Sequence, residues 1–168
     1  MRTPATLAKH PIHPMLVAFP IGLWIVSLVC DLAVLGGATS PGWQTTAFYT
    51  MVGGIVGALV AAVFGLVDLL SLHVPRVRTI ALTHMTLNLI VVALYAVNIW
   101  LRMGETVDIR LPVLLSVVAV LLLAVSGWLG GEMVHVHRVG VEEPSDLLDT
   151  AATKRQPREQ WQSGQVPR

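Results

Sequence analysis

Four long apolar stretches leave this chain few folds to choose from. They cover about residues 15–36, 46–70, 80–101 and 111–134. Each holds ~20 or more mostly apolar residues, enough to cross a hydrocarbon layer of ~30 Å. Only 12% of the residues are charged and 54% are hydrophobic, whereas soluble domains carry about 25% charge. The mean hydropathy, +0.70, points the same way. The runs are continuous rather than alternating, which excludes a strand barrel. The first is too long, and its leader too poor in basic residues, for a signal peptide. Short connections make successive helices antiparallel neighbours, so the expected fold is an all-α, integral-membrane, up-down four-helix bundle within residues 1–141. Residues 142–168 read as a polar, disordered tail, with Pro144, Pro157 and Pro167 and no apolar period.

Four crossings return the chain to its starting side. That side carries Arg2, Lys9, Arg76, Arg78, Arg138, Lys154, Arg155, Arg158 and Arg168. The opposite loops carry Arg102 and Arg110, answered by Glu105 and Asp108. This asymmetry places both termini in the cytoplasm. The basic residues thus read as orientation signals rather than as a nucleic-acid patch. The formal net charge of +1 implies no acidic partner. The lone Cys30 lies inside the first span, where a small thiol packs as a core residue. No P-loop, dinucleotide, covalent haem or nuclease motif is present, and no internal sequence repeat is evident.

The topology then locates the histidines. His10 and His13 precede the first span, His73 follows the second, His84 sits about one turn into the third, and His135 and His137 follow the fourth. All six fall at the cytoplasmic end, where Asp68 and Glu132 lie near the ends of spans two and four. Ionisable groups inside a span are costly and usually face the bundle interior in pairs. At about 100° per residue, His84, Asn88, Tyr95, Asn98 and Arg102 share an arc of about 80° along the third span. His13, Trp24, Ser27 and Asp31 share a similar arc on the first, with Pro20 a candidate kink. Spans one and three are diagonal in an up-down bundle, so both stripes are expected to point at the axis. Asp68 is expected there too, sharing a face with Gly53, Gly57 and Ala61.

Gly53, Gly57, Ala61 and Gly65 recur every four residues on span two, and Ser126/Gly130 and Gly127/Gly131 do so on span four. Such rows let helix backbones approach closely in lipid, or leave room for a flat cofactor. The entry "HPIHP" places Pro14 where a helix tolerates proline and His13 near the N-cap. The prolines stiffen the segment that holds both imidazoles. Rigid imidazoles at a bundle mouth suit metal or haem ligation. The alternatives are interfacial placement for His10 and His13, an interhelical hydrogen bond for His84, and solvation for His73. His135 and His137 point apart, so at most one faces the core.

The stretches "HPIHPMLVAFPIGLW", "FGLVDLL", "THMTLNL" and "SGWLGGEMVHVHRVGV" resemble a bacterial family of small membrane proteins known as domain of unknown function 2231. The likeness covers about residues 9–141. It departs from the family pattern at Arg138, where a glycine is usual, and His135 is an extra histidine. The resemblance implies a place in the bacterial inner membrane. It also implies an association with Rieske-type iron–sulfur proteins, hence electron transfer.

Three functions follow. The first is a haem b protein using His10, His13, His84 or His137 as axial ligands, with Asp68 or Glu132 orienting an imidazole. It would pass electrons to or from a quinol or iron–sulfur partner. The second is a non-haem zinc or iron site built from His13, His84, Asp68 and Glu132, the E-x-x-H of Glu132 and His135 being its motif. The third is an accessory subunit, with a homo-oligomer as one form of assembly, whose polar residues only set helix register. No serine–histidine–carboxylate set assembles, so no hydrolase or other catalytic residue is expected.

Overall fold

The computed structural model describes residues 4–8, 10–104 and 108–141. Two short strands, β1 (Thr6–Leu7) and β2 (His10–Pro11), pair antiparallel ahead of five helices. These are α1 (Ile12–Leu16), α2 (Ala18–Leu35), α3 (Pro41–Leu70), α4 (Pro75–Arg102) and α5 (Arg110–His135). The α1–α2 pair and α3, α4 and α5 make four helical units long and apolar enough to cross a membrane. Each extends beyond its apolar window, so the polar flanks are helical as well. The expected tail, 142–168, lies outside the described residues.

Sequence chemistry accounts for the helix boundaries. Pro41 and Pro75 open α3 and α4 at positions where a missing N–H costs nothing. Pro20 has no N–H for the Leu16 carbonyl and its ring crowds that oxygen, so the first span breaks at Val17 into α1 and α2. At its far end Gly37 takes φ +99°, which turns the chain toward α3. At the end of α5 the Val139 N–H reaches back to the Met133 carbonyl at 3.0 Å, with Arg138 at φ +53°. That loop holds its residue in the left-handed region, which glycine adopts most readily.

Neighbouring contacts run α2–α3, α3–α4, α4–α5 and α5–α2, closing an up-down bundle. The first and third spans therefore face each other across one diagonal and run parallel. Phe19, Val29, Leu59, Val63, Leu89, Val97, Leu114 and Leu121 point outward with large exposed areas, as lipid contact demands. Inside, Trp24, Cys30, Met51, Val91, Tyr95 and Leu123 form the central core. A smaller cluster of Leu72, Val77 and Ala81 lies under the α5 exit.

The small-residue row of α3 is packed by side chains of the first span. A Cβ on Gly57 would lie 3.3 Å from Pro20, one on Gly53 3.3 Å from Leu23, and one on Gly54 would collide with the Trp24 ring. Gly127 and Gly131 on α5 have nothing within 4 Å, and face outward rather than into the bundle.

Candidate functional site

The two axial stripes do face each other, and they do so in register. Asp31 and Arg102 are 71 residues apart in the chain. The same separation recurs for Trp24 and Tyr95, whose rings stack at 4.7 Å and 5°. It recurs again for His13 and His84, whose ring centroids lie 6.3 Å apart at 88°. Parallel helices across a diagonal advance at the same rise per residue, so one constant offset pairs every layer. The axis thus has a histidine layer at one end, an aromatic layer in the middle and an ion-pair layer at the other end.

The histidine layer is built twice by the same device. The His13 Nδ1–H donates to the Ala61 carbonyl at 2.8 Å, and the His84 Nδ1–H to the Ser126 carbonyl at 2.8 Å. Each carbonyl is followed four residues later by a glycine, Gly65 or Gly130, whose missing side chain exposes the oxygen. A Cβ on Gly65 would come within 2.9 Å of the His13 ring, and one on Gly130 within 3.4 Å of the His84 ring. The fold therefore contains a repeat that the sequence conceals. The α1–α2/α3 hairpin and the α4/α5 hairpin each present a histidine, an aromatic ring and a charge on the leading helix, and a small residue plus glycine on the returning one.

A carbonyl can only accept, so both imidazoles carry their proton on Nδ1 when neutral and keep the lone pair on Nε2. Asn88 completes the layer. Its amide N–H group donates to Ser126 Oγ at 2.8 Å, to the His84 carbonyl at 2.9 Å and to His84 Nε2 at 3.1 Å.

The other expected ligands are not gathered here. His10 is exposed on β2, with its ring bonded to the Ala8 carbonyl. His137 is half-buried beyond α5, its Nε2 3.8 Å from a Glu132 oxygen. His135 and His73 are exposed. Asp68 does not point to the axis as expected. Its Oδ1 accepts the Ala5 N–H at 3.0 Å and ties down the N-terminal hairpin. Among the described residues no three His, Cys, Asp or Glu side chains come together as a metal-binding group. The expected set of His13, His84, Asp68 and Glu132 is therefore not assembled, because its carboxylates serve the hairpin and the α5 exit. The E-x-x-H pair is likewise split, since Glu132 lies near His137 while His135 faces outward.

The ion-pair layer was missed in the sequence, where Arg102 counted as a loop charge balanced by Glu105 and Asp108. Instead the Arg102 guanidinium donates to Asp31 Oδ2 at 2.7 Å and to Asn98 Oδ1 at 2.8 Å. Asn98 in turn donates to the Pro112 carbonyl and to Ser116 Oγ, both at 2.8 Å. Asp31, Asn98 and Ser116 are all fully buried. The signal was present: Asp31 and Arg102 end the two polar stripes.

The family model described as "Predicted membrane protein (DUF2231)" matches residues 9–143. No curated protein and no solved structure matches the chain.

Proposed function

The chain belongs to the DUF2231 family of predicted membrane proteins, and from that premise we propose that it is an electron-transfer subunit holding haem b between His13 and His84. The observation that carries this reading is the opposition of two equivalent imidazoles across the bundle axis, 6.3 Å between centroids. His13 and His84 would be the residues that hold the group, one imidazole from each side of the axis. Both rings are anchored through Nδ1 on a backbone carbonyl, a partner that commonly fixes a ligating histidine and leaves the Nε2 lone pair as the donor. The Asn88 contact to His84 Nε2 is its longest, and the amide keeps two other acceptors when that contact is given up.

Bound haem would supply a one-electron couple. The protein's part is to hold the two imidazoles, to set their basicity through the Ala61 and Ser126 carbonyls, and to keep the layer within an apolar shell. The charge asymmetry of the loops supports a cytoplasmic position for this layer, in a bacterial inner membrane on this reading. A quinol or an iron–sulfur protein, the Rieske type included, is the class of redox partner it would serve.

A second reading is favoured by one specific contact. His84 has a partner on both ring nitrogens, as a residue that only fixes helix register would. A spectrum separates the two. The protein is expressed with haem precursor, purified in detergent, and recorded air-oxidised and dithionite-reduced. We expect a Soret band that shifts and a sharp α band on reduction, both lost in His13→Ala and His84→Ala. A colourless wild-type protein would leave the register role as the function of this layer.

A further inference from the structure

We propose that the Asp31 layer is a proton-exchange well, in which bound water links Asp31 Oδ1 to Ser27 Oγ and the Tyr95 hydroxyl. These three atoms are buried without a hydrogen-bond partner, on residues with no exposed surface. Leaving a buried polar group unpaired is costly, and bound water is a common remedy. A carboxylate oxygen and two hydroxyls supply the acceptors and donors that an internal water needs, which is about three partners. The Trp24 ring nitrogen is also unpaired. It lies against Gly54, where even a Cβ does not fit, so it stands apart from the well.

The proton has one place to go. Arg102 holds Asp31 Oδ2, and the longer Ser116 contact at 3.4 Å falls on the same oxygen. Oδ1 is the free atom, turned from the cation. The groups packed around Asp31 are Ser27 and Cys30 on α2, Tyr95, Asn98 and Arg102 on α4, and Ser116 on α5. The buried residues of α3 are Ala47, Met51, Gly54 and Ala61, none of them titratable. Arg102 ends α4 beside the exposed Met103 and Gly104, with 8% of its own side chain exposed. Toward the histidines, Met51, Val91 and Leu123 close the axis with apolar atoms. Among the described residues, the well comes nearest to solvent at the Arg102 end. A hydronium from that side transfers its proton to Asp31 Oδ1, forming one O–H bond and leaving water. The reverse step returns the proton to solvent, and Arg102 keeps its charge throughout.

Infrared difference spectroscopy on the full chain in lipid vesicles, with pH stepped, tests this. We expect a buried carboxylic-acid C=O band that appears and disappears with pH and shifts in D₂O within the mixing time. Asp31→Asn with Arg102→Gln removes it without leaving an unpaired charge. Tyr95→Phe and Ser27→Ala, each removing one hydroxyl, are expected to shift its frequency, and they carry the test where the double variant does not fold. No pH-dependent carboxyl band assignable to Asp31, a band that exchanges deuterium as slowly as the helix core, or one unmoved by both hydroxyl deletions overturns the proposal. None of these readouts depends on haem.

Discussion

Arg102 reaches across the bundle to Asp31 at 2.7 Å, with the carboxylate fully buried and most of the guanidinium shielded. Removing one partner of such a pair strands a charge, at a cost of about 3–5 kcal/mol, while replacing both can be nearly neutral. Arg102→Gln is therefore expected to destabilise the fold strongly, and adding Asp31→Asn to recover much of the loss. Unfolding in mixed detergent micelles measures it. Additive losses in the double variant would contradict a direct pair.

Gly54 and Trp24 make the tightest helix contact. A methyl at Gly54 would collide with the Trp24 ring, which is stacked on Tyr95. Overpacking of this kind costs about 1–3 kcal/mol. Gly54→Ala should lower stability by that amount in wild type and by less in a Trp24→Leu background, read by the same unfolding assay. Equal losses in both backgrounds would show that the contact is not the cause.

The two histidine seats are equivalent but not equally tight. A Cβ at Gly65 meets the His13 ring at 2.9 Å, and one at Gly130 meets the His84 ring at 3.4 Å. Gly65→Ala should thus displace its imidazole and Gly130→Ala should do so less. On the haem reading, the haem-to-protein ratio falls further in Gly65→Ala. Nitrogen-edited NMR of the two imidazoles gives a readout that needs no haem, with the larger shift expected at His13.

Asp68 holds the N-terminal hairpin through the Ala5 N–H. A hydrogen bond to a charged acceptor contributes about 1.5–3 kcal/mol. Asp68→Ala should release the segment before α1, seen as faster proteolysis near Thr6 and Leu7 with the spans intact. Unchanged proteolysis would mean that other contacts hold the hairpin.

Arg138 adopts φ +53° at the α5 exit. Left-handed backbone costs a side-chain-bearing residue about 1–2 kcal/mol, and a β-branched one is least tolerant. Arg138→Gly is expected to be tolerated and Arg138→Val to lower thermal stability. Equal tolerance of both would show that the loop after α5 relaxes freely.

Much of the site was legible before any coordinates. The arcs on spans one and three named His13, Trp24, Ser27, Asp31, His84, Asn88, Tyr95, Asn98 and Arg102 as axial residues, because helical periodicity assigns a face without knowing its neighbour. Pro20 marked the break at Val17, since a missing N–H acts locally. The errors were of partnership. Asp68 was drawn to the axis by its shared face, whereas the hairpin offered a backbone N–H. Arg102, which ends its span, is balanced in the sequence by Glu105 and Asp108, whereas its partner in the fold is Asp31. Ser126 reads in the sequence only as part of a small-residue row, yet it holds His84 through both its carbonyl and its hydroxyl.

By itself the sequence determined that the chain enters a membrane, how many helices it forms and which face of each is polar. These properties follow from hydropathy and the 3.6-residue period, both of which are local. Tertiary structure alone decided that His13 meets His84, that Trp24 stacks on Tyr95 and that Asp31 pairs with Arg102. Those contacts depend on two parallel helices settling in one register across the axis. That register is fixed by packing at Gly54, Gly65 and Gly130, where a single methyl group decides how closely two backbones approach.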